Sequence, residues 1–155
     1  MRRRLATVVL RNTSLYDVSN IRYQIGGALT FPSLVFNEDC LTINVGRPAK
    51  ISKSKKLPVL VWIYGGGFST GSSAWPVYNV SWLVDASQKV GKPVILVTFN
   101  YRLNIFGMLA GHELGAEGNV NLALQDQRLA LHWVKENIEA FGGDPSRVTI
   151  FGESA

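Results

Sequence analysis

The chain has 155 residues, 46% of them hydrophobic and 17% charged, a balance that supports a packed core and argues against disorder over most of its length. Its net charge of +5 is concentrated in Arg2, Arg3 and Arg4 and in Lys50, Lys53, Lys55 and Lys56. The second group alternates with Ser52 and Ser54 between two apolar runs, as a solvated loop does, so the charge reads as exposed surface and not as a nucleic-acid or membrane-binding face.

Taken in chain order, the three arginines and the apolar residues 5–10 that follow are too short for a secretory signal peptide and lack a small-residue cleavage site. No apolar run approaches the length that spans a bilayer. Residues 40–45 alternate between apolar and polar and predict a strand near a sheet edge. Within them Cys40 is the only cysteine, so it forms no internal disulfide and says nothing about compartment. Residues 58–64 are uniformly apolar, rich in β-branched and aromatic side chains, and end abruptly at Gly65-Gly66-Gly67. Residues 82–90 predict a short helix that stops at Gly91 before Pro93, and residues 93–99 a second apolar strand. Strand, helix and strand make a βαβ unit, and strands apolar on both faces imply a buried parallel sheet.

From 121 to 141 the spacing is helical, with Leu122, Leu129 and Trp133 on one row and Ala130, Val134, Ile138 and Phe141 on adjoining rows. Gly142-Gly143-Asp144-Pro145 ends that helix, since the glycines permit a left-handed turn and the proline prevents resumption. A last strand at 147–151 runs into Gly152-Glu153-Ser154-Ala155. The fold class is therefore α/β, a mostly parallel sheet flanked by helices.

A strand that runs into Gly-x-Ser-x supplies the first four positions of a nucleophile elbow, in which a sharp strand-to-helix turn holds a serine hydroxyl clear of the sheet. The same four residues also suit a plain strand-end turn. Gly65-Gly66-Gly67 stands after an earlier strand, where backbone N–H groups can form an oxyanion hole, although three glycines also make a flexible turn. The two histidines, His112 and His132, both precede Ser154, whereas a serine triad on this kind of sheet runs serine, acid, histidine. His112 falls in a predicted loop with Gly111 and Glu113, His132 in the long helix, and both read as surface or core residues. No metal-ligand spacing and no phosphate-binding loop is present, so no metal and no cofactor is expected.

Residues 38–45, 58–71, Asn100-Tyr101-Arg102-Leu103, 121–126 and 127–155 together resemble the type-B carboxylesterase/lipase family, the cholinesterase-like α/β-hydrolases, and its fungal members. The resemblance implies an α/β-hydrolase fold truncated at the nucleophile elbow, with residues 1–155 the N-terminal part, roughly the first third, of one domain. It implies Ser154 as nucleophile, backbone N–H groups of Gly66, Gly67 and Ala155 as the oxyanion hole, and Phe68 and Trp75 near the substrate gorge. Glu153 is implied to be a buried, hydrogen-bonded orienting group. The implied reaction is hydrolysis of a small-molecule ester or lipid through an acyl-enzyme, without cofactor or metal.

Family members are often secreted, but compartment and oligomeric state stay open. Asn20 to Gln24 resemble an early strand of the family, yet Glu38-Asp39-Cys40 follows sooner than the family pattern, as though a stretch carrying a partner for Cys40 were missing. With no acid and histidine after Ser154 and an open apolar edge on the last strand, the 155-residue polypeptide alone is expected to be inactive. Two other readings stay open here, a non-catalytic cholinesterase-like interaction protein and a truncated product without function.

Overall fold

Two uniformly apolar strands form the centre of a sheet of five strands among the described residues. The structure, a computed structural model, describes residues 8–10, 39–51 and 56–155. The central strands are β3, Leu57–Ile63, and β4, Ile95–Phe99. They pair in parallel, with Val59 opposite Ile95 and Trp62 opposite Thr98, and helix α1, Val80–Lys89, crosses between them as the βαβ reading requires. Strand β5, Gly143–Gly152, lies parallel to β3 on its other side. Strand β2, Ile43–Gly46, runs antiparallel to β4, and β1, Val8–Leu10, pairs in parallel with β2.

Pleating divides the core into two layers. Val59, Val61, Ile95, Val97 and Phe99 face the long helix α4, Leu122–Asn137, and pack with its Ala123, Ala130 and Val134. Leu96 faces the opposite way and packs with Val80 and Val84 of α1, joined by Leu60 and Trp62. Both faces of the sheet are therefore covered at β3 and β4, which explains why these central strands carry no polar alternation. Each fully buried aliphatic side chain contributes about 1.5–3 kcal/mol.

Several boundaries differ from the sequence reading. Helix α1 begins two residues early because Asn79 caps it, its Oδ1 accepting the Ser81 N–H at 3.0 Å. Strand β4 begins two residues late, since the Ser87 hydroxyl takes the Val94 N–H at 3.2 Å and withholds it from the ladder. Strand β5 begins at Gly143, four residues early: Gly143 pairs with Leu57, and a register shift between Leu57 and Val59 absorbs the irregular stretch that follows. In that stretch the Ser146 hydroxyl and N–H, with Arg147, hold the Asp144 carboxyl down to about 2.

Two short helices, α2 (Asn104–Met108) and α3 (His112–Ala116), were not expected, and His112 opens α3 instead of lying in a loop. Residues 20–24, read as an early strand, lie outside the described residues, as do Lys53 and Lys55, while Lys50 and Lys56 are exposed. No helix is long and apolar enough to cross a membrane among the described residues.

Candidate active site

Strands β3 and β5 run side by side and release their loops at the same edge, so the glycine loop after β3 and the turn after β5 meet there. Ser154 sits in that turn with φ +56°, a left-handed conformation that a residue with a Cβ seldom adopts. Two glycines make the turn possible. A Cβ on Gly152 would stand 2.6 Å from the Ile63 carbonyl oxygen, and one on Gly65 would stand 2.3 Å from the Glu153 carbonyl oxygen and 2.9 Å from Ser154 Cβ. The serine turn is thus seated directly against the first glycine of the loop, and Ser154 itself is exposed.

The loop folds back on itself at Gly66, whose carbonyl accepts the N–H groups of Ser69 at 3.1 Å and Thr70 at 3.2 Å. Beyond it, Gly67 and Phe68 are both left-handed, with φ of 62° and 56°. Phe68 donates its N–H to the Ala155 carbonyl at 3.1 Å, which ties the loop to the residue after the serine. Among the described residues no hydrogen bond uses the N–H of Gly66, Gly67 or Ala155, so three backbone donors beside the serine turn remain available to a ligand. They are the three groups that the family resemblance implies as an oxyanion hole.

Below the loop the aromatic rings form a continuous stack. Trp75 lies on Tyr78 with centroids 6.0 Å apart, Tyr78 on Tyr64 at 6.3 Å, and Tyr64 on Tyr101 at 4.5 Å. Phe68 is half-buried against the core cluster. Burial pushes the Tyr64 hydroxyl above its ordinary value, and burial followed by the charge of Glu153 does the same for Tyr78.

Glu153 is exposed, which corrects the expectation of a buried carboxylate: it follows β5, and β5 is the outermost strand on that side of the sheet. Ile150 and Phe151 on the same strand are 52% and 36% exposed. His112 and His132 are exposed on α3 and α4, and neither hydrogen-bonds to Ser154 among the described residues. No group of three or more histidine, cysteine, aspartate or glutamate side chains is placed to hold a metal ion among the described residues.

Sequence reasoning overlooked two anchors of the site. The Tyr101 hydroxyl donates to the Tyr64 carbonyl at 2.6 Å, and Arg102 forks onto Asp126 through Nε at 2.6 Å and Nη2 at 2.7 Å. Both residues lie in the Asn100-Tyr101-Arg102 segment, and the available signal was a run of large polar side chains directly after a buried strand.

The model of the carboxylesterase family matches residues 11–155. Lipase 4 of Diutina rugosa is 54% identical over 118 residues, which cover 76% of this chain and 21% of that protein. Secreted lipase 1 of Botryotinia fuckeliana is 55% identical over 118 residues, 76% of this chain and 20% of that one. The crystal structure of Aspergillus niger EstA superimposes with a TM-score of 0.67 at 44% identity, covering 75% of this chain and 22% of that structure. The stretch matched therefore spans about a fifth of the length of these curated relatives.

Proposed function

The chain belongs to the carboxylesterase family and has its α/β-hydrolase fold, and from that premise we propose that residues 1–155 are the N-terminal part of one such domain, which hydrolyses carboxylic esters through Ser154. The Ser154 hydroxyl attacks the ester carbonyl carbon while a histidine base takes its proton, and the carbonyl oxygen becomes an oxyanion. The N–H groups of Gly66, Gly67 and Ala155 receive that oxyanion, each contributing about 3 kcal/mol to the transition state. Collapse expels the alcohol, leaves the acyl group on Ser154, and water then releases the acid.

The observation that carries this reading is the seating of the serine turn on the glycine loop, with three unused backbone donors around an exposed, left-handed serine. Matched relatives named as lipases support an ester or lipid substrate. The base is neither His112 nor His132, since both precede Ser154, are exposed on helices and make no hydrogen bond to it among the described residues. It is contributed by polypeptide beyond residues 1–155.

A fluorophosphonate probe applied to the protein as its source organism makes it tests the reading. The label is expected on Ser154, identified by peptide mass, and its rate is expected to stay within about twofold in His112→Ala and His132→Ala, as for surface changes. Label on another residue, or its loss in either histidine variant, would overturn the assignment. Gly65→Ala is expected to lower ester turnover roughly 100-fold, because a Cβ 2.3 Å from the Glu153 carbonyl must push the serine turn off the loop. Steady-state hydrolysis of a p-nitrophenyl ester measures it, and wild-type turnover would show that the two segments need not touch.

A further inference from the structure

Residues 100–104, directly after β4, hold the glycine loop at three points along its length. Asn100 takes the end of the loop: its Oδ1 accepts from the Ser73 N–H at 2.9 Å and from the Ser73 hydroxyl at 3.0 Å, while its Nδ2 donates to the Cys40 carbonyl at 3.1 Å. Asn104 takes the crest, its N–H donating to the Phe68 carbonyl at 2.6 Å. Tyr101 takes the start, its hydroxyl donating to the Tyr64 carbonyl at 2.6 Å. The carbonyl of Tyr64 shares a peptide plane with the Gly65 N–H, so fixing its oxygen fixes the direction in which the glycine run leaves β3.

That restraint is needed because Gly66 and Gly67, with φ of 133° and 62°, occupy conformations that glycine enters and leaves freely. Donors must be held within about 0.5 Å of the oxyanion position to be effective. Tyr101 can supply a fixed point of this kind, since it is 4% exposed and its ring lies on that of Tyr64 with an interplanar angle of 17°. Return contact comes from the Tyr64 hydroxyl, 3.4 Å from both the N and the carbonyl oxygen of Tyr101. Each tyrosine hydroxyl thus faces the other's backbone. We propose that Tyr101 is a positioning residue for the oxyanion loop, its hydroxyl setting the peptide plane from which Gly65, Gly66 and Gly67 emerge; the catalytic part of this rests on the ester-hydrolase reading.

Tyr101→Phe keeps the ring and its stacking and removes only the hydroxyl, so a packing role and a positioning role separate. In the protein as its source organism makes it, kcat is expected to fall about tenfold with KM within twofold, a fraction of the loss that follows a 1 Å misplacement. Amide hydrogen exchange across residues 66–70 is expected to accelerate about tenfold, with a melting temperature close to wild type. Unchanged exchange and unchanged kcat would overturn the proposal, as would a lowered melting temperature with full kcat in the folded fraction. A wild-type protein that takes no fluorophosphonate at Ser154 would overturn the ester reading instead, and the exchange rates alone would still decide whether the hydroxyl holds the loop. Ser73→Ala, which removes one of the two Ser73 bonds to Asn100 and so loosens the far end of the same loop, is read in the same way if Tyr101→Phe fails to fold.

Discussion

Ser154→Gly is expected to abolish ester hydrolysis, lowering turnover at least about 10⁴-fold, and to make the protein more stable. Loss of activity follows from removing the hydroxyl that forms the acyl-enzyme in the proposed mechanism. The gain in stability follows from the backbone: Ser154 has φ +56°, where a residue with a Cβ is strained by about 1–2 kcal/mol and glycine is not. Greater freedom of glycine in the unfolded chain returns about 0.5–1 kcal/mol of that. The side chain is exposed, so its removal costs no core packing. A net gain of about 0.5–1 kcal/mol remains, seen as a higher melting temperature. Ser154→Ala is the control, because it removes the hydroxyl but keeps the Cβ and its strain. It should be equally inactive and no more stable than wild type. Thermal unfolding of the two variants isolates the strain, and equal melting temperatures would show that the left-handed turn stores none.

In the proposed mechanism this strain has a use. A relaxed strand end would carry the residue after Glu153 along the edge of the sheet, whereas the left-handed turn lifts Ser154 over Gly65 and brings Ala155 within reach of the Phe68 N–H at 3.1 Å. The requirement is written in backbone chemistry, which is why it was legible: glycines at 65, 66, 67 and 152 announce close approach whatever surrounds them. The buried strands were legible for a similar reason, since β3 and β4 are apolar on both faces.

Directions and partners were less so. The apolar pattern of residues 40–45 is consistent with either direction of pairing, and β2 runs antiparallel to β4. Helices α2 and α3 span five residues each, too short for periodicity to register, and in α2 Ile105 and Phe106 are 61% and 72% exposed, against their hydrophobicity. The hold of Tyr101 on Tyr64 joins residues 37 apart and that of Arg102 on Asp126 joins residues 24 apart, and no spacing rule announces either. Asn79 was a visible cap, missed because the helix was started at its first aromatic residue.

The second large effect is expected at Asp126, which is far from the reacting atoms. Asp126→Ala should destabilise the protein by roughly 3 kcal/mol, chiefly through what it leaves behind. The Asp126 side chain is 2% exposed and its oxygens accept from Arg102 Nε at 2.6 Å, Nη2 at 2.7 Å and the backbone N–H of Arg102 at 3.1 Å. The Arg102 side chain is 22% exposed, so without the carboxylate a guanidinium remains largely enclosed and loses the counter-charge it has among the described residues. Removing both charges should cost less. The double variant Arg102→Met, Asp126→Ala is expected to recover at least about 1 kcal/mol of the loss, because no uncompensated charge is left. Chemical denaturation of the two single variants and the double variant gives the coupling directly, and a double variant no more stable than Asp126→Ala would show that the carboxylate acts through α4 packing alone. The pair also has a consequence for the site, since it fixes the segment that carries Asn100, Tyr101 and Asn104 to helix α4. Asp126→Ala assayed below its own melting transition should therefore lower kcat as well as stability, as Tyr101→Phe does without the loss of stability.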